Sequence, residues 1–407
     1  MTNNISPSPS TSQGKHSFLL FLIFIAILGA FSSLVNDMYL PTIPKMMREF
    51  HTTPSMTQMG LSMVMIGLGI GSVIWGSLSD HYGRKPILLL SLVIFGVGTA
   101  VSLFSESILF FIICRLFQGI GAGGAMVLSY SIPTDLYEGR QLAKVMALVG
   151  AINGFAPATA PLIGGFMADS TGWRGIFVLL LIIGIGMLFW SWRRPESLPQ
   201  DKRLPASNLK VYVKAYMALF SNRRFMIYVL LKALGIGLLY AYISSAPFIY
   251  QDHYGFSSLK FGLVFGANAV AIAVGSTLVM RFKVLKKGLV TGTLIMCLFA
   301  VAEALVMYHE LHFLWYELAV IPMLVGSGML FSSANSLGME EGKSDAGTAG
   351  AILNVVKYIF AAIVAPLVGI GNIMHSSAWC FVALAIITFI LVIPAYRLKP
   401  LQSMIKS

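Results

Sequence analysis

Charge is what this sequence has least of. Only 11% of its 407 residues are Asp, Glu, Lys or Arg, against about 25% in an ordinary soluble domain. Hydrophobic residues make up 57%, and the mean hydropathy is +0.80. That shortage excludes a water-soluble globular fold and points to a chain dissolved in a bilayer. Cysteine is nearly missing too. Cys114, Cys297 and Cys380 all fall inside apolar runs, which excludes a disulfide framework and a cysteine-based zinc site. The histidines are scattered (His16, His51, His81, His253, His309, His312, His375) and none stands at metal-ligand spacing. There is no GxxxxGK[ST] phosphate loop, and Gly119-x-Gly121 has no strand before it to make a dinucleotide fingerprint. No nucleophile–base pair stands out either. The expectation is therefore a protein that is not an enzyme and uses no cofactor or metal.

The few charges are biased, with 28 Lys and Arg against 16 Asp and Glu, a net +12. A basic excess can mark nucleic-acid binding. Here the cations sit between apolar runs, where membrane topology places them, so no nucleic acid is expected.

A span needs about 20 apolar residues. Twelve runs qualify, near 18–40, 56–78, 86–105, 108–131, 141–167, 173–192, 224–249, 258–280, 288–308, 314–337, 346–371 and 376–396. Of the 28 cations, only Lys45, Arg48, Arg174 and Lys260 fall on the outer side, and Arg115, Lys232 and Lys357 lie within spans. The rest fall inside, so both termini are expected in the cytoplasm. Residues 1–16 are rich in Ser, Asn, Thr and Pro and read as a disordered tail. The expected organisation is a six-helix bundle over 17–192, a polar cytoplasmic linker over 193–222, a second six-helix bundle over 223–397 and a short tail over 398–407. Ala160-Pro161-Leu162-Ile163-Gly164 in span five recurs as Ala365-Pro366-Leu367-Val368-Gly369 in span eleven. The repeat suggests two related halves.

Between spans two and three lies GSLSDHYGRKP, Gly76 to Pro86. Gly83 suits a tight turn because it accepts positive φ, and Pro86 suits the first turn of the next helix. Asp80 is placed to accept hydrogen bonds from a facing helix end, and Arg84 and Lys85 complete the polar hinge. Span one ends with Ser33, Asn36, Asp37, Tyr39, Pro41 and Pro44. On a continuous helix Ser33, Asp37, Pro41 and Pro44 share a face. A carboxylate inside a span faces a wet cavity or a partner charge. Span four carries a single cation, Arg115, followed by Gln118 and Gly119. A guanidinium does not lose its proton, so Arg115 can tune a carboxylate but not carry the proton. Span five holds Asn153, Pro157, Pro161, Gly164 and Gly165, a kinked, small-residue helix fit for close packing or a moving seal. In the second half, Lys232 and Lys357 are isolated cations inside apolar runs, with Tyr240 near the first. Glu303 and Glu317 read as interfacial. Tyr242, Phe248, Tyr250 and Met329 read as core or belt residues.

Several motifs carry a family resemblance: DMYLPTIP in span one, GSLSDHYGRKP, RLFQGIGAG in span four, APLIGG in span five, and Trp173-Arg174 before span six. Over about 18–396 the chain resembles the major facilitator superfamily, and within it the twelve-span drug:proton antiporters of the bicyclomycin/chloramphenicol-resistance type. The resemblance implies an all-α polytopic membrane protein of two pseudo-symmetric six-helix bundles. It implies proton-driven efflux of small amphipathic compounds by alternating access, from a bacterial inner membrane and by a monomer. It makes Asp37 the proton site, Arg115 its electrostatic partner, and the Gly76, Asp80, Gly83 and Arg84 loop a stabiliser of the outward-open state. Asn36, Tyr39, Gln118, Lys232, Tyr240 and Lys357 become candidates to line the substrate cavity. The chain departs from the pattern at Ala156 and Ala160, where such antiporters prefer glycine. It also carries Gly29 and Ala30 where some relatives have a second acid. Fewer acids and two extra lysines point away from cationic cargo. An exporter or symporter of one metabolite or siderophore, or a non-transporting receptor, are the competing expectations.

Overall fold

The computed structural model describes residues 12–203 and 216–398. Every element among them is helical, and twelve helices are long and apolar enough to cross a membrane. In chain order these are α1 Ser12–Asp37, α2 Pro54–Tyr82, α3 Arg84–Ser102, α4 Ile108–Leu136, α5 Gly139–Ala168, α6 Gly172–Trp192, α7 Arg223–Phe248, α8 Ser258–Leu278, α9 Leu285–Tyr308, α10 Phe313–Glu341, α11 Ala346–Leu367 and α12 Ile373–Arg397. The expected all-α, twelve-span class stands. An apolar bilayer leaves helices as the economical way to satisfy the backbone.

Local details differ from the sequence reading. Helix α1 starts at Ser12, inside the stretch read as a disordered tail, while residues 1–11 lie outside the described residues. Part of the linker, 204–215, and the tail beyond 398 lie outside them as well. The remaining linker contains a 3-10 turn at Gln200–Lys202 and helical residues 216–221. Helix α1 also stops at Asp37. A 3-10 turn at Leu40–Thr42 and a short helix at Ile43–Glu49 follow. Pro41 and Pro44 have no N–H to continue the ladder, so the expected continuous face from Ser33 to Pro44 is broken just after the acid.

The two halves meet tightly at the face opposite the chain ends. There α5 packs along α8, and α2 along α11. Small residues permit the approach: a Cβ on Gly165 would stand 2.5 Å from the Ser258 carbonyl oxygen, while Gly164 packs within its own half, where a Cβ would stand 1.7 Å from the Met38 carbonyl oxygen. Gly262 and Gly266 of α8 press the same way on the carbonyls of Pro161 and Ala158. The repeated pentad does the corresponding work on the other flank. Gly369 abuts the Ser55 amide, and Ser55 Oγ donates to the Pro366 carbonyl at 2.9 Å. Side chains complete the closure. Gln58 donates to the Ser244 carbonyl (2.8 Å), Ser62 to that of Ala362 (2.7 Å) and Gln251 to that of Pro41 (3.0 Å). Arg48 pairs with Asp252 at 3.0 Å. Toward the other face the halves separate: nothing lies within 4 Å of a Cβ placed on Gly150, Gly154 or Gly350. The molecule is closed at one face and open at the face that carries its termini.

Asp169, in the α5–α6 loop, joins this closure. It accepts from Lys45 Nζ at 2.5 Å and from Ser258 Oγ of the second half at 2.9 Å. The Lys45 hydrogen bond holds its carboxyl below the ordinary 3.8. The bond that crosses between the halves is the one from Ser258, which also favours the charged carboxyl, so its contribution to closure is full above that ordinary value and fades as pH falls through the lowered one. The pair is exposed, so the effect is about 0.2–1 kcal/mol. Distance measured by fluorescence between dyes on Ser170→Cys and His309→Cys should show this face loosening slightly below pH 3.8, and Asp169→Asn should remove that pH response.

Candidate functional site

Asp37 sits where α1 ends, 6% exposed. The helix dipole there opposes a negative charge. Asn36 Nδ2 donates to Asp37 Oδ1 at 2.6 Å and reaches the hydroxyl of Tyr240, on α7, at 3.4 Å. The acid thus lies where the two halves touch. Arg115 is fully buried beneath it. Its guanidinium donates to Gln118 Oε1 at 2.5 Å and to the Val35 carbonyl at 3.0 Å, and stacks over Tyr39 at 4.2 Å. Gln118 in turn donates to Thr99 at 2.8 Å. No ion pair joins Arg115 and Asp37 among the described residues. The cation acts across a short gap through its field, with Nη1 donating to the Gln118 amide and Nη2 to the Val35 carbonyl.

In the second half, Lys232 is 8% exposed and donates to Asn335 Oδ1 of α10 at 2.7 Å. Lys357 of α11 lies over its neighbour Tyr358 at 4.7 Å and is near enough to repel Lys232. Neither lysine has a carboxylate partner among the described ion pairs. The structure therefore groups Asn36, Asp37, Tyr39, Arg115 and Gln118 with Tyr240, and places Lys232 and Lys357 in a separate cationic patch nearer the open face. Pro157 and Pro161 lie inside α5, and Asn153 belongs to its open half.

The polar hinge forms its own cluster. Gly83 has φ +103°, and a Cβ there would strike Glu196 at 2.5 Å. Glu196 accepts from the amides of Arg84 (2.9 Å) and Lys85 (3.1 Å), capping the start of α3. Arg84 Nε donates to Asp135 at 2.9 Å, while its Nη1 donates to Asp80 at 2.5 Å and to Ser79 at 2.8 Å. The expectation that Asp80 accepts from a facing helix end is corrected: its partner is the Arg84 side chain, four residues on. Gly76 packs against Val127. Glu196 and Asp135 were missed from sequence, being far from the hinge along the chain. The only signal was an acid among the cations of the linker after span six and another just past span four. Arg84→Ala leaves Asp135, whose side chain is 10% exposed, without its cation. The loss should be about 3 kcal/mol, read as a clear fall in melting temperature of the detergent-purified protein. Lysine, lacking the fork geometry, should not restore it.

Glu303 and Glu317 are the second correction. Both were read as interfacial. Glu303 is fully buried, and Glu317 accepts from Tyr250 at 2.5 Å and from Asn268 at 3.1 Å. Hydropathy alone does not tell a residue facing the bundle from one facing lipid.

Comparison with known proteins agrees with this architecture. An uncharacterised MFS-type transporter, YdgK, of Bacillus subtilis (strain 168) is 34% identical over 369 residues, covering 89% of this chain and 90% of its own. A bicyclomycin resistance protein homolog of Haemophilus influenzae is 27% identical over 367 residues, covering 88% and 90%. Among solved structures, a bacterial homolog of the human lysosomal transporter Spinster, inward-facing and unoccupied, superposes with a TM-score of 0.72 at 15% identity, covering 95% of this chain and 96% of its own. The sequence pattern of the Major Facilitator Superfamily matches residues 25–366. With twelve spans in this arrangement and that match across most of its length, the chain is a multi-pass membrane transporter of small molecules and belongs to the Major Facilitator Superfamily.

Proposed function

We propose that the chain exports small amphipathic compounds in exchange for protons, alternating between the observed conformation, open to the cytoplasm, and one open outward. One observation carries this reading: a buried carboxylate, Asp37, at the break in α1, touching through Asn36 the Tyr240 hydroxyl of the other half. Rocking the halves apart at the closed face breaks that contact and wets the acid. A proton taken up there neutralises Asp37 and relaxes its attraction to Arg115. Substrate then leaves outward, and the proton leaves inward after the return. The relative described as a bicyclomycin resistance protein homolog supports a drug-like cargo. In this reading both termini are cytoplasmic, the membrane is the bacterial inner membrane, the working unit is a monomer, the chain is not an enzyme, and neither cofactor nor nucleic acid is needed.

The Lys232–Asn335–Lys357 patch favours neutral, zwitterionic or anionic cargo, since a permanent cation would meet two positive charges on its way in. It also keeps open a second reading, a transporter dedicated to one acidic metabolite. The test is proton efflux from acid-loaded vesicles holding the purified protein, on addition of neutral, cationic and anionic compounds. Efflux with neutral or anionic but not cationic members is the expected result. Substrate uptake without any proton movement would overturn the antiport reading. Lys232→Ala with Lys357→Ala should widen the accepted set toward cations, with efflux rates on cationic members rising about tenfold if the change amounts to about 1.4 kcal/mol.

A further inference from the structure

Beneath the closed face, inside the second half, lies a buried polar cluster that the mechanism above does not use. Glu303 of α9 is 0% exposed, and neither of its carboxyl oxygens has a hydrogen-bond partner. The Tyr316 hydroxyl of α10 faces it and is likewise buried without a bond. Glu317 lies beside it but is differently served: it accepts from the Tyr250 hydroxyl at 2.5 Å and from Asn268 of α8 at 3.1 Å. Asn268 also reaches the hydroxyls of Tyr242 and Tyr250, each at 3.1 Å. The groups facing Glu303 are therefore Tyr316 and Glu317 from α10, Tyr242 from α7 and Tyr254 from the loop after it. Among the described ion pairs, no Lys or Arg reaches either acid.

These two carboxyls are served unequally. Donors aimed at Glu317 suit an anion. Glu303, with no donor and no cation, cannot keep a bare charge in an apolar interior. As a neutral acid it carries one O–H, unbonded in this conformation, with the Tyr316 hydroxyl and Glu317 the polar groups of α10 around it. We propose that Glu303 and Glu317 form a second proton-binding site, with the proton resident on Glu303 in this outer-closed conformation. Tyr250 belongs to a π-helical turn, Ile249–His253, and such turns often mark functional sites in helices. The same turn supplies Gln251 and Asp252, which tie the halves together at the closed face. Opening that face moves the turn, takes Tyr250 from Glu317 and admits water to Glu303, where its proton can exchange with the outside.

Infrared difference spectroscopy of the full-length protein in lipid nanodiscs tests this, on an Asp37→Asn background so that the site proposed above is silent. The probe is the proton alone, with no transported compound. At neutral pH, the Asp37→Asn protein minus Asp37→Asn/Glu303→Gln should show a protonated-carboxyl band that disappears on alkalinisation. Glu303→Asp should move the band, and Tyr316→Phe should shift it by altering its hydrogen bonding. Absence of such a band, or one that survives Glu303→Gln, overturns the proposal. If Glu303→Gln fails to fold, a band left unmoved by Glu303→Asp overturns it equally. Loss of the band on adding sodium or potassium at fixed pH would also overturn it, by making the site one for a metal cation. Because the background already lacks Asp37, a failure of antiport at Asp37 and a failure here are read separately.

Discussion

Asp37→Asn is expected to abolish proton-driven accumulation while leaving the protein folded and able to bind its cargo. Asparagine keeps the size of the side chain and can still meet Asn36, whose amide now contacts Asp37 Oδ1, but it cannot take up a proton. Moving one charge across 100 mV supplies about 2.3 kcal/mol, which sustains roughly a 50-fold gradient of a neutral compound. Vesicles bearing the variant should bring that ratio down to equality, and addition of compound should release no protons. Exchange of labelled for unlabelled compound at zero gradient should persist, because it needs only binding and rocking. Full proton coupling in the variant would assign the coupling to another group. Arg115→Gln is a useful companion. It removes the cation beneath the acid and leaves the Val35 carbonyl and Tyr39 ring that it now touches without a charge, so coupling should weaken and stability should fall together.

Gly165→Leu should lock the transporter open to the outside. A Cβ at this position would stand 2.5 Å from the Ser258 carbonyl oxygen, and the obstacle is backbone at the start of α8 in the other half, not a side chain able to turn away. Overpacking typically costs about 1–3 kcal/mol and more where nothing can yield. Two conformations of a transporter differ by only a few kcal/mol, so this suffices to invert their populations. The double-label distance across the outer face should lengthen, transport should fall to background, and melting temperature should change little, because the outward conformation has no such contact to lose. Gly262→Leu, against the Pro161 carbonyl at 2.6 Å, should act in the same direction. A variant that transports normally with an unchanged distance would remove α5 from the gate.

Much of this molecule was legible in its sequence because a bilayer imposes few solutions. Twelve apolar runs became twelve helices, and the paired pentads at Ala160 and Ala365 marked the two flanks where the halves meet. The buried Arg115 and the hinge at Gly83 were visible as isolated polar residues in an apolar text. What sequence hid was partnership at a distance. Glu196 and Asp135 complete the Arg84 cluster from the linker and from α4. Gln58 and Ser62 look like ordinary polar helix residues until their acceptors, backbone carbonyls of α7 and α11, are seen. The break after Asp37 was under-read because the spacing of Ser33, Asp37, Pro41 and Pro44 fits one helical face, and two prolines outweighed it. Glu303 was misplaced because hydropathy measures depth in the membrane, not which way a side chain points.

The closed face is held largely by glycine against carbonyl: Gly165 on Ser258, Gly262 on Pro161, Gly266 on Ala158. Such contacts freeze no rotamers. A long side chain immobilised at an interface gives up about 1.5–2 kcal/mol of conformational entropy, and a seal of such side chains would make each closure a large step. A glycine seal shuts tightly with almost none of that loss. Its open and closed forms can therefore lie nearly level in free energy, so that the small quantum delivered by a single proton decides which way the door stands.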